Sequence, residues 1–301
     1  MKIIYLCNKK HVQTKMSRVR FHAIKELGKL VYVKWWGIGY DGYDNEKTVQ
    51  ENLDTLEFTY DMAISYKPLE MKEFKNINIP KCIRYNEMFD IDLTRNEIID
   101  SGADLVICHH KNEMRFYDKN MENVQFKHIA HCANKDIFKP LNLEKDIDLL
   151  LIGSIWDRYP LRIRMAKILQ RLSGEFKTQI YQHPGYDLQN AHNDEHLHDF
   201  VRTINRAKIA VTCTGKYKCR YGKLVEVPMC KTALACDIPE EEENEFNQIL
   251  IQIDNSMTDE EIIDKLRTFL RDDEERKKKE DFGHYWAQRH TQELYAKRLM
   301  N

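Results

Sequence analysis

The sequence predicts an α/β protein built from two doubly wound domains, and three observations support this prediction. Segments typical of strands and helices alternate along the first half of the chain, and the alternation restarts near residue 146 with the most hydrophobic strand. The length of 301 residues also suits two domains of about 150 residues better than one. Because strands that alternate with helices form parallel sheets covered on both faces, we expect two such sheets in succession.

In the first half, the predicted strands are short apolar segments at residues 2–7, 31–36, 61–66, 81–86 and 104–110. The helix predicted at 17–30 begins at Ser17, a residue type that caps helices. It has apolar residues at helical spacing, namely Val19, Phe21, Ile24 and Leu27. A second helix is predicted at 93–103.

In the second half, strands are predicted at 146–154, 176–183, 208–214, 232–237 and 249–254. Helices are predicted at 160–172, 197–207, 222–230 and 258–272, the first of which begins with a proline, a residue favoured at that position. A polar joint at 128–146 separates the two halves. We therefore place the domain boundary near Pro140.

Composition excludes several classes of protein. The formal net charge of -1 argues against a molecule that binds nucleic acid with its whole surface. No apolar run approaches the roughly 18–20 residues of a membrane span, and no signal peptide is visible. The eight cysteines include no C-x-x-C pair, and several lie in apolar runs, as expected for buried thiols in a reducing compartment. The sequence thus predicts a cytoplasmic protein.

Gly37, Gly39 and Gly42 have the G-x-G-x-x-G spacing of a dinucleotide-binding turn. They follow the second predicted strand, however, and precede the polar segment "YDNEKT" rather than a helix. We interpret them as a loop at the carboxyl edge of the sheet, where ligands bind in such folds. Aromatic side chains of this stretch can stack on a sugar or base; they are Trp35, Trp36, Tyr40 and Tyr43.

Five segments together resemble the GT-B glycosyltransferases, in particular the family-4-like and spore-maturation-protein-like group. The segment "AHCANKDIFKP" (130–140) is similar to the inter-domain segment of that family. "DIDLLLIGSIWDRYPLR" (146–162) resembles the first strand of its donor domain, and "LHDFVRTINRAKIAVTCT" (197–214) its next helix–strand pair. "RYGKLVEVPMCKTALACD" (220–237) resembles the phrase that opens the sugar-nucleotide helix, and "FGHYWAQRHTQELYAKRLM" (282–300) the last helix.

The resemblance implies two Rossmann-like domains that face a cleft, with the C-terminal helix crossing back to the first domain. It implies an acceptor-binding domain at 1–140, a nucleotide-sugar-binding domain at 141–283 and a crossing helix at 284–301. The implied activity is transfer of a sugar from a nucleotide diphosphate sugar, UDP before the others, to an anionic or glycan acceptor. It implies no cofactor and no metal, because helix dipole and basic side chains would take the place of a divalent ion.

Glu226 is the residue that the resemblance assigns to the ribose of the donor. A carboxylate suits that task because it accepts two hydrogen bonds at once. The sequence departs from the family at two positions: Lys218 stands where the E-x7-E pair would have an acid, and Lys231 stands where a glycine is expected. The first departure concerns how the sugar hydroxyls are held, and the second how closely the donor approaches the helix.

Basic residues near Glu226 are candidates for binding the diphosphate. Arg220 and Lys223 are its neighbours, and Arg158 follows the turn formed by Gly153 and Ser154. Cations at these positions would stabilise the charge of the departing nucleotide. The alternative for each is a solvated residue at the end of a loop.

On the acceptor side, one segment is rich in basic residues and has no acidic one: Lys9, Lys10, Lys15, Arg18 and Arg20. Such a cluster favours a negatively charged partner, such as the phosphate of a nucleotide, lipid or nucleic acid. For the catalytic base we name Asp90 and Glu87, which follow the strand 81–86, with His110 as a rival after the strand 104–110.

Other functions stay open at this stage. Some viral enzymes of this fold glycosylate hydroxymethylated bases of phage DNA, and the basic segment fits such an acceptor. A nucleotide-binding protein that kept the fold and lost catalysis is a second alternative, because of Lys218. A sugar-nucleotide epimerase of the same fold is a third.

Overall fold

The computed structural model describes residues 1–85, 88, 90–117, 121–241 and 243–301. The chain divides into two compact units. The first unit comprises Met1–Ala130, Tyr186–Asn193 and Gln292–Asn301, and the second comprises His131–Gly185 and Asp194–Thr291. The sequence places its boundary at Pro140, whereas the long segment of the first unit ends at Ala130 and two later segments join that unit.

The described residues of the first unit form a parallel six-stranded sheet in the order β2-β1-β3-β4-β5-β6. Its strands are β1 (Lys2–Leu6), β2 (Tyr32–Trp36), β3 (Met62–Ser65), β4 (Lys81–Tyr85), β5 (Leu105–Cys108) and β6 (Gln125–His128). Its helices include α1 (Lys9–Thr14), α2 (Val19–Leu27), α3 (Val49–Leu53), α4 (Ile91–Ser101) and α5 (Lys111–Met114). Short 3₁₀ turns lie at Pro68–Glu70, Phe74–Asn76 and Ala191–Asn193.

The second unit forms a parallel five-stranded sheet, counted over its described residues, in the order β11-β10-β9-β7-β8. Its strands are β7 (Ile147–Leu151), β8 (Thr178–Ile180), β9 (Ala207–Val211), β10 (Ala233–Cys236) and β11 (Leu250–Gln252). Its helices include α6 (Pro160–Leu172), α7 (Glu195–Arg206), α8 (Lys223–Met229), α9 (Glu243–Ile249), α10 (Asp259–Arg271) and α11 (Asp273–Ala287). The last helix, α12 (Gln292–Met300), belongs to the first unit, where it packs on α2.

Both faces of the second sheet are covered, as the apolar run around β7 predicts. Leu150 packs in one apolar cluster of this unit and Leu149 and Leu151 pack in another, because successive side chains of a strand point to opposite faces. All three side chains are fully buried. A strand that is apolar without alternation therefore indicates a sheet with helices on both sides. The predicted α/β class is confirmed.

Two local predictions differ from the structure. Strand β6 is missing from the sequence prediction because it is an edge strand whose side chains are all at least partly exposed. The C-terminal segment predicted as one helix is two helices, α11 and α12. Between them the carbonyl of His290 accepts a hydrogen bond from the backbone N–H of Ala133 (3.0 Å), and Thr291 bridges to the same residue. This pairing replaces helical hydrogen bonds and ends α11.

Gly37 fixes the loop after β2. Its φ is +130°, and a Cβ on this residue would lie 2.5 Å from the carbonyl oxygen of Cys7. Backbone hydrogen bonds join the same loop to the end of β1, from Cys7 to Trp36 (2.9 Å) and from Lys9 to Ile38 (2.9 Å). Gly37 thus lets the ends of β1 and β2 approach closely, and the loop lies at the carboxyl edge of the sheet, where the sequence interpretation places it. The aromatic residues pack within the unit: the Trp36 ring is buried against the Tyr43 ring.

Candidate functional site

Glu226 lies in the first turn of α8, in the second unit. One carboxylate oxygen accepts a hydrogen bond from the Lys223 ammonium (2.6 Å), and its backbone N–H bonds the carbonyl of Gly222 (2.9 Å). The side chains of Lys223 and Glu226 are 28% and 17% exposed, so both retain access to a ligand. The Lys223 ammonium also lies 4.4 Å from the centre of the Phe200 ring. The ion pair and the ring hold these two predicted site residues together.

Arg162 joins two loops at the carboxyl edge of the same sheet. Its guanidinium donates to the hydroxyl of Thr212 (3.1 Å), to the carbonyl of Ser154 (3.1 Å) and to that of Cys213 (3.3 Å). Ser154 follows β7, and Thr212 and Cys213 follow β9. The side chain is only 4% exposed, and its guanidinium lies 4.0 Å from the Tyr159 ring centre.

The contact with Arg162 explains the backbone conformation of Gly153. Its φ is +96°, and a Cβ here would lie 2.6 Å from Cζ of Arg162. The backbone therefore passes directly over the guanidinium, and any side chain would displace it. The predicted Gly153–Ser154 turn is thus present, and its partner is Arg162, which the sequence analysis does not name as a site residue. The available signal was an arginine on the buried stripe of α6, next to Met165 and Leu169.

Arg158 lies in the loop that follows this turn. Its carbonyl accepts a hydrogen bond from the N–H of Lys216 (3.1 Å), and its guanidinium lies 4.5 Å from the centre of the Trp156 ring. Trp156 is 40% exposed, and Arg158 itself is partly exposed. The loop therefore carries one partly exposed cation beside one exposed aromatic ring.

The pKa of a nearby histidine depends on the charges of these cations. His183 follows β8, and burial together with the charges of Lys223 and Arg162 lowers the pKa of its imidazole. The three side chains thus lie within electrostatic range of one another. Glu226, Lys223, Arg162 and His183 are brought to one edge of the second sheet, at the carboxyl ends of its strands.

Arg220, a predicted diphosphate ligand, lies in the segment before α8. Its side chain is fully buried and donates to the carbonyl of His131 (2.8 Å), and it lies 3.3 Å from Nδ1 of His290. The guanidinium also lies 5.2 Å from the Trp286 ring centre. The structure thus surrounds this guanidinium with protein groups, and its role toward the diphosphate stays a prediction.

Lys218, which stands where the family pattern has an acid, is paired with Asp237. The Asp237 carboxylate is 3% exposed and accepts hydrogen bonds from the Lys218 ammonium (2.9 Å) and from the N–H of Thr214 (2.7 Å). Partial burial acts to lower the pKa of Lys218, but the hydrogen bond to Asp237 and the charge of Asp237 raise the pKa above its ordinary value. The substituted lysine, whose side chain is 39% exposed, is therefore held at the edge of the sheet by a buried carboxylate.

The catalytic bases predicted in the first unit have other surroundings. The Asp90 side chain caps α4 by accepting from the N–H of Leu93 (3.2 Å). Glu87 lies outside the described residues. His110 precedes α5 and is 1% exposed, so its imidazole does not face solvent. Asp90 is thus the cap of α4 and His110 is a buried residue, and the catalytic role of each stays a prediction.

The predicted basic cluster is partly neutralised. Lys15 forms an ion pair with Asp187 (2.8 Å), and Arg18 is buried and donates to the carbonyl of Val12 (2.6 Å). The guanidinium of Arg20 lies 3.8 Å from the centre of the Tyr66 ring. Much of the cluster therefore serves the packing of α1 and α2.

Two Asp-x-Asp triplets, at 90–92 and 146–148, have their carboxylates engaged. Asp92 pairs with Arg95, Asp146 pairs with Arg206, and Asp148 pairs with Lys208. Among the residues that the structure describes, no three side chains of His, Cys, Asp or Glu are grouped as metal ligands would be. In the same residues, every helix is too short or too polar to cross a lipid bilayer.

Solved structures with the same fold were found by comparison. A sucrose-phosphate synthase from Thermosynechococcus elongatus superimposes with a TM-score of 0.64 at 11% identity, covering 100% of this chain and 97% of that one. HepE of Anabaena, in complex with UDP and glucose, gives 0.63 at 10% identity, covering 100% and 98%. WaaG, a glycosyltransferase involved in lipopolysaccharide biosynthesis, gives 0.61 at 12% identity, covering 99% and 98%. These likenesses establish the GT-B fold.

A family model was matched as well. The model described as glycosyl transferase-like matches residues 134–301, which is more than half of the chain and includes every residue of the site in the second unit. Comparison with curated proteins gave no match.

Proposed function

The chain belongs to the glycosyl transferase-like family, and we propose that it transfers a sugar from a UDP-sugar to an acceptor with phosphate or glycan character. The observation that carries this proposal is the partly exposed pair of Glu226 and Lys223 beside the buried Arg162 at one sheet edge. UDP is proposed before other nucleotides because HepE, which shares the fold, was solved with UDP and glucose.

In this proposal Glu226 accepts hydrogen bonds from both ribose hydroxyls of the donor. Its carboxylate offers two oxygens, of which one is bound by Lys223 in the absence of donor. The short i,i+3 ion pair keeps the side chain against the first turn of α8. Binding of the ribose would then cost little side-chain entropy, which supports the assignment.

Lys223 and Arg158 are proposed to stabilise the diphosphate. During transfer the bond from the anomeric carbon to the β-phosphate oxygen breaks, and negative charge develops on the departing UDP. The acceptor hydroxyl oxygen bonds that carbon and loses its proton to a general base, for which Asp90, Glu87 and His110 remain the predicted candidates. Partly exposed cations at the sheet edge stabilise the charge of the departing UDP. Arg162 and Arg220, which are buried and bonded to protein groups, are proposed to hold the loops in place.

We expect the donor to be identified by a thermal-shift panel of UDP-, GDP- and ADP-glucose. A ligand at about 100 times its dissociation constant stabilises the folded state by about 2.7 kcal/mol, which raises Tm by roughly 5 °C or more. UDP-glucose is expected to give this shift and the other two sugars a smaller one. The matched control is 2′-deoxy-UDP beside UDP, because loss of one hydroxyl should weaken the contact with Glu226. Equal shifts for these two would remove the ribose assignment.

Transfer is also expected to survive a chelator. Because Lys223 and Arg158 supply positive charge at the proposed diphosphate site, EDTA should change the rate by less than about twofold. The measurement is release of UDP with and without EDTA, followed by addition of Mn²⁺. Loss of activity that Mn²⁺ restores would contradict metal-independent transfer.

The non-catalytic alternative is favoured by one observation, the pairing of Lys218 with Asp237 where an acid was expected. Slow hydrolysis of the donor without acceptor would argue against the non-catalytic alternative.

DNA as the acceptor has weaker support than a phosphorylated or glycan acceptor, since Lys15 is paired and Arg18 is buried. We propose the cytoplasm as the site of action because all eight cysteines are buried, as is typical of thiols in a reducing compartment.

A further inference from the structure

Arg84 is a buried cation in the first unit, and among the described residues its hydrogen-bond partners are neutral groups. It is the penultimate residue of β4, at the carboxyl end of the sheet, and is 7% exposed. Nε lies 3.1 Å from Nε2 of His109, and Nη1 donates to the carbonyl of Arg20 (2.9 Å). The guanidinium lies 4.7 Å from the centre of the Tyr295 ring. Among the described residues of the chain, Nη2 has no hydrogen-bond partner.

His109 does not balance this charge, because its hydrogen bonds require the neutral form. Nδ1 lies 2.8 Å from the carbonyl of Ile129, so it carries the proton and donates. Nε2 then accepts from Nε of Arg84. Burial, and after it the charge of Arg84, lowers the pKa of His109 well below its ordinary value, in agreement with this tautomer.

A second guanidinium lies in the same region. The backbone of Arg20 accepts from Arg84, and its own guanidinium lies over the Tyr66 ring at 3.8 Å. The charges of both arginines act on the buried hydroxyl of Tyr5 and on His109. Two arginines and a neutral histidine thus meet where β1, β3, β4 and β5 end, an edge at which α/β folds bind ligands.

A buried guanidinium that meets only neutral acceptors is unfavourable unless an anion completes its surroundings. We propose that Arg84, with Arg20 beside it, binds a phosphate group of the acceptor, and that Nη2 donates to one of its oxygens. Phosphate matches the planar guanidinium donors and would supply the missing charge. This inference rests on the proposed function, of which it specifies the acceptor as a phosphorylated compound.

The test is titration of the full chain with inorganic phosphate at saturating UDP, which occupies the proposed donor site first. Saturable heat of binding and a rise in Tm are expected for the unaltered chain. In Arg84→Met the affinity for phosphate should fall at least about tenfold, while the UDP-induced shift stays unchanged. Without phosphate this variant should be as stable as the unaltered chain or more so, because an uncompensated charge has been removed.

Arg276→Met is the matched control, because that arginine is equally buried but its charge is paired with the carboxylates of Asp273 and Glu280. It should lose stability and keep its affinity for phosphate. If Arg84→Met does not fold, Arg84→Lys, which keeps the charge but loses the planar donors, should bind phosphate more weakly than the unaltered chain. No phosphate binding at saturating UDP, or equal binding in Arg84→Met or Arg84→Lys, would overturn the proposal, whereas loss of the UDP shift alone would concern the donor site.

The source of the phosphate is distinguished by two further probes. Glucose 6-phosphate represents a soluble ester, and vesicles of phosphatidylglycerol in phosphatidylcholine represent a lipid headgroup. Binding of either one, weakened at least about tenfold by Arg84→Met, supports the site and names its source. Failure of both together with failure of inorganic phosphate rejects it.

Discussion

The variant Glu226→Gln is expected to lower kcat/KM for the UDP-sugar by at least about a hundredfold. A charged hydrogen bond contributes about 1.5–3 kcal/mol, and each 1.4 kcal/mol corresponds to about a factor of ten in kcat/KM. Loss of two such bonds to the ribose therefore lowers kcat/KM by more than about a hundredfold. The amide keeps one acceptor oxygen and turns an NH₂ donor toward the second hydroxyl. The measurement is the initial rate of UDP release at donor concentrations below KM.

Folding should be nearly unaffected by this change, since the lost pair with Lys223 is a partly exposed i,i+3 contact on one helix. The control is Glu274→Gln, the same chemical change at a side chain that is 83% exposed in α11. Its kcat/KM should match that of the unaltered chain. Full activity in Glu226→Gln would exclude the ribose contact, and equal losses in both variants would show that the effect is not local.

The variant Gly37→Ala is expected to lose stability on the order of 3 kcal/mol. Its methyl group would approach the carbonyl oxygen of Cys7 to 2.5 Å, and φ of +130° is itself strained for alanine. The obstacle is backbone of β1's end, which cannot rotate away as a side chain does. Urea denaturation followed by circular dichroism measures the free energy of unfolding.

Gly42→Ala separates the two causes. Its φ of +81° imposes a similar backbone strain, but a Cβ there has no neighbour within 4 Å. We expect a loss of about 1 kcal/mol, from strain alone. The difference between the two variants then measures the steric contact with Cys7, and equal losses would refute the close approach.

The features of the fold that depend on local pattern could be predicted from the sequence. The unbroken apolar run at β7 predicts a strand buried on both faces, and the apolar spacing after Ser17 predicts α2. The predicted cap at Ser17 is wrong, because α2 begins at Val19 with Arg18 as its N-cap and without a side-chain capping bond. Strand β6 could not be predicted in this way because an edge strand needs no apolar run. The end of α11 depends on Ala133, far away in sequence, and no local signal marks it.

The same distinction applies to the site. Glu226 and Lys223 are neighbours on one helical turn, so a sequence phrase is enough to pair them. Arg162 is buried by Thr212 and Cys213, which follow another strand. Sequence spacing alone indicates the partly exposed Arg158 as the basic residue of the site instead. Arg220 likewise meets His131 and is removed from solvent. Burial of a charged side chain is set by tertiary partners, which residue order alone does not specify.

The position of α12 has a consequence for synthesis. Its Tyr295 and Ala296 are buried in the first unit, although all of the second unit precedes them in the chain. During translation the surface of α2 therefore lacks its contacts with α12 until residues 292–300 leave the ribosome. The second unit has all of its residues once Thr291 is synthesised, whereas the first unit still lacks α12 at that point.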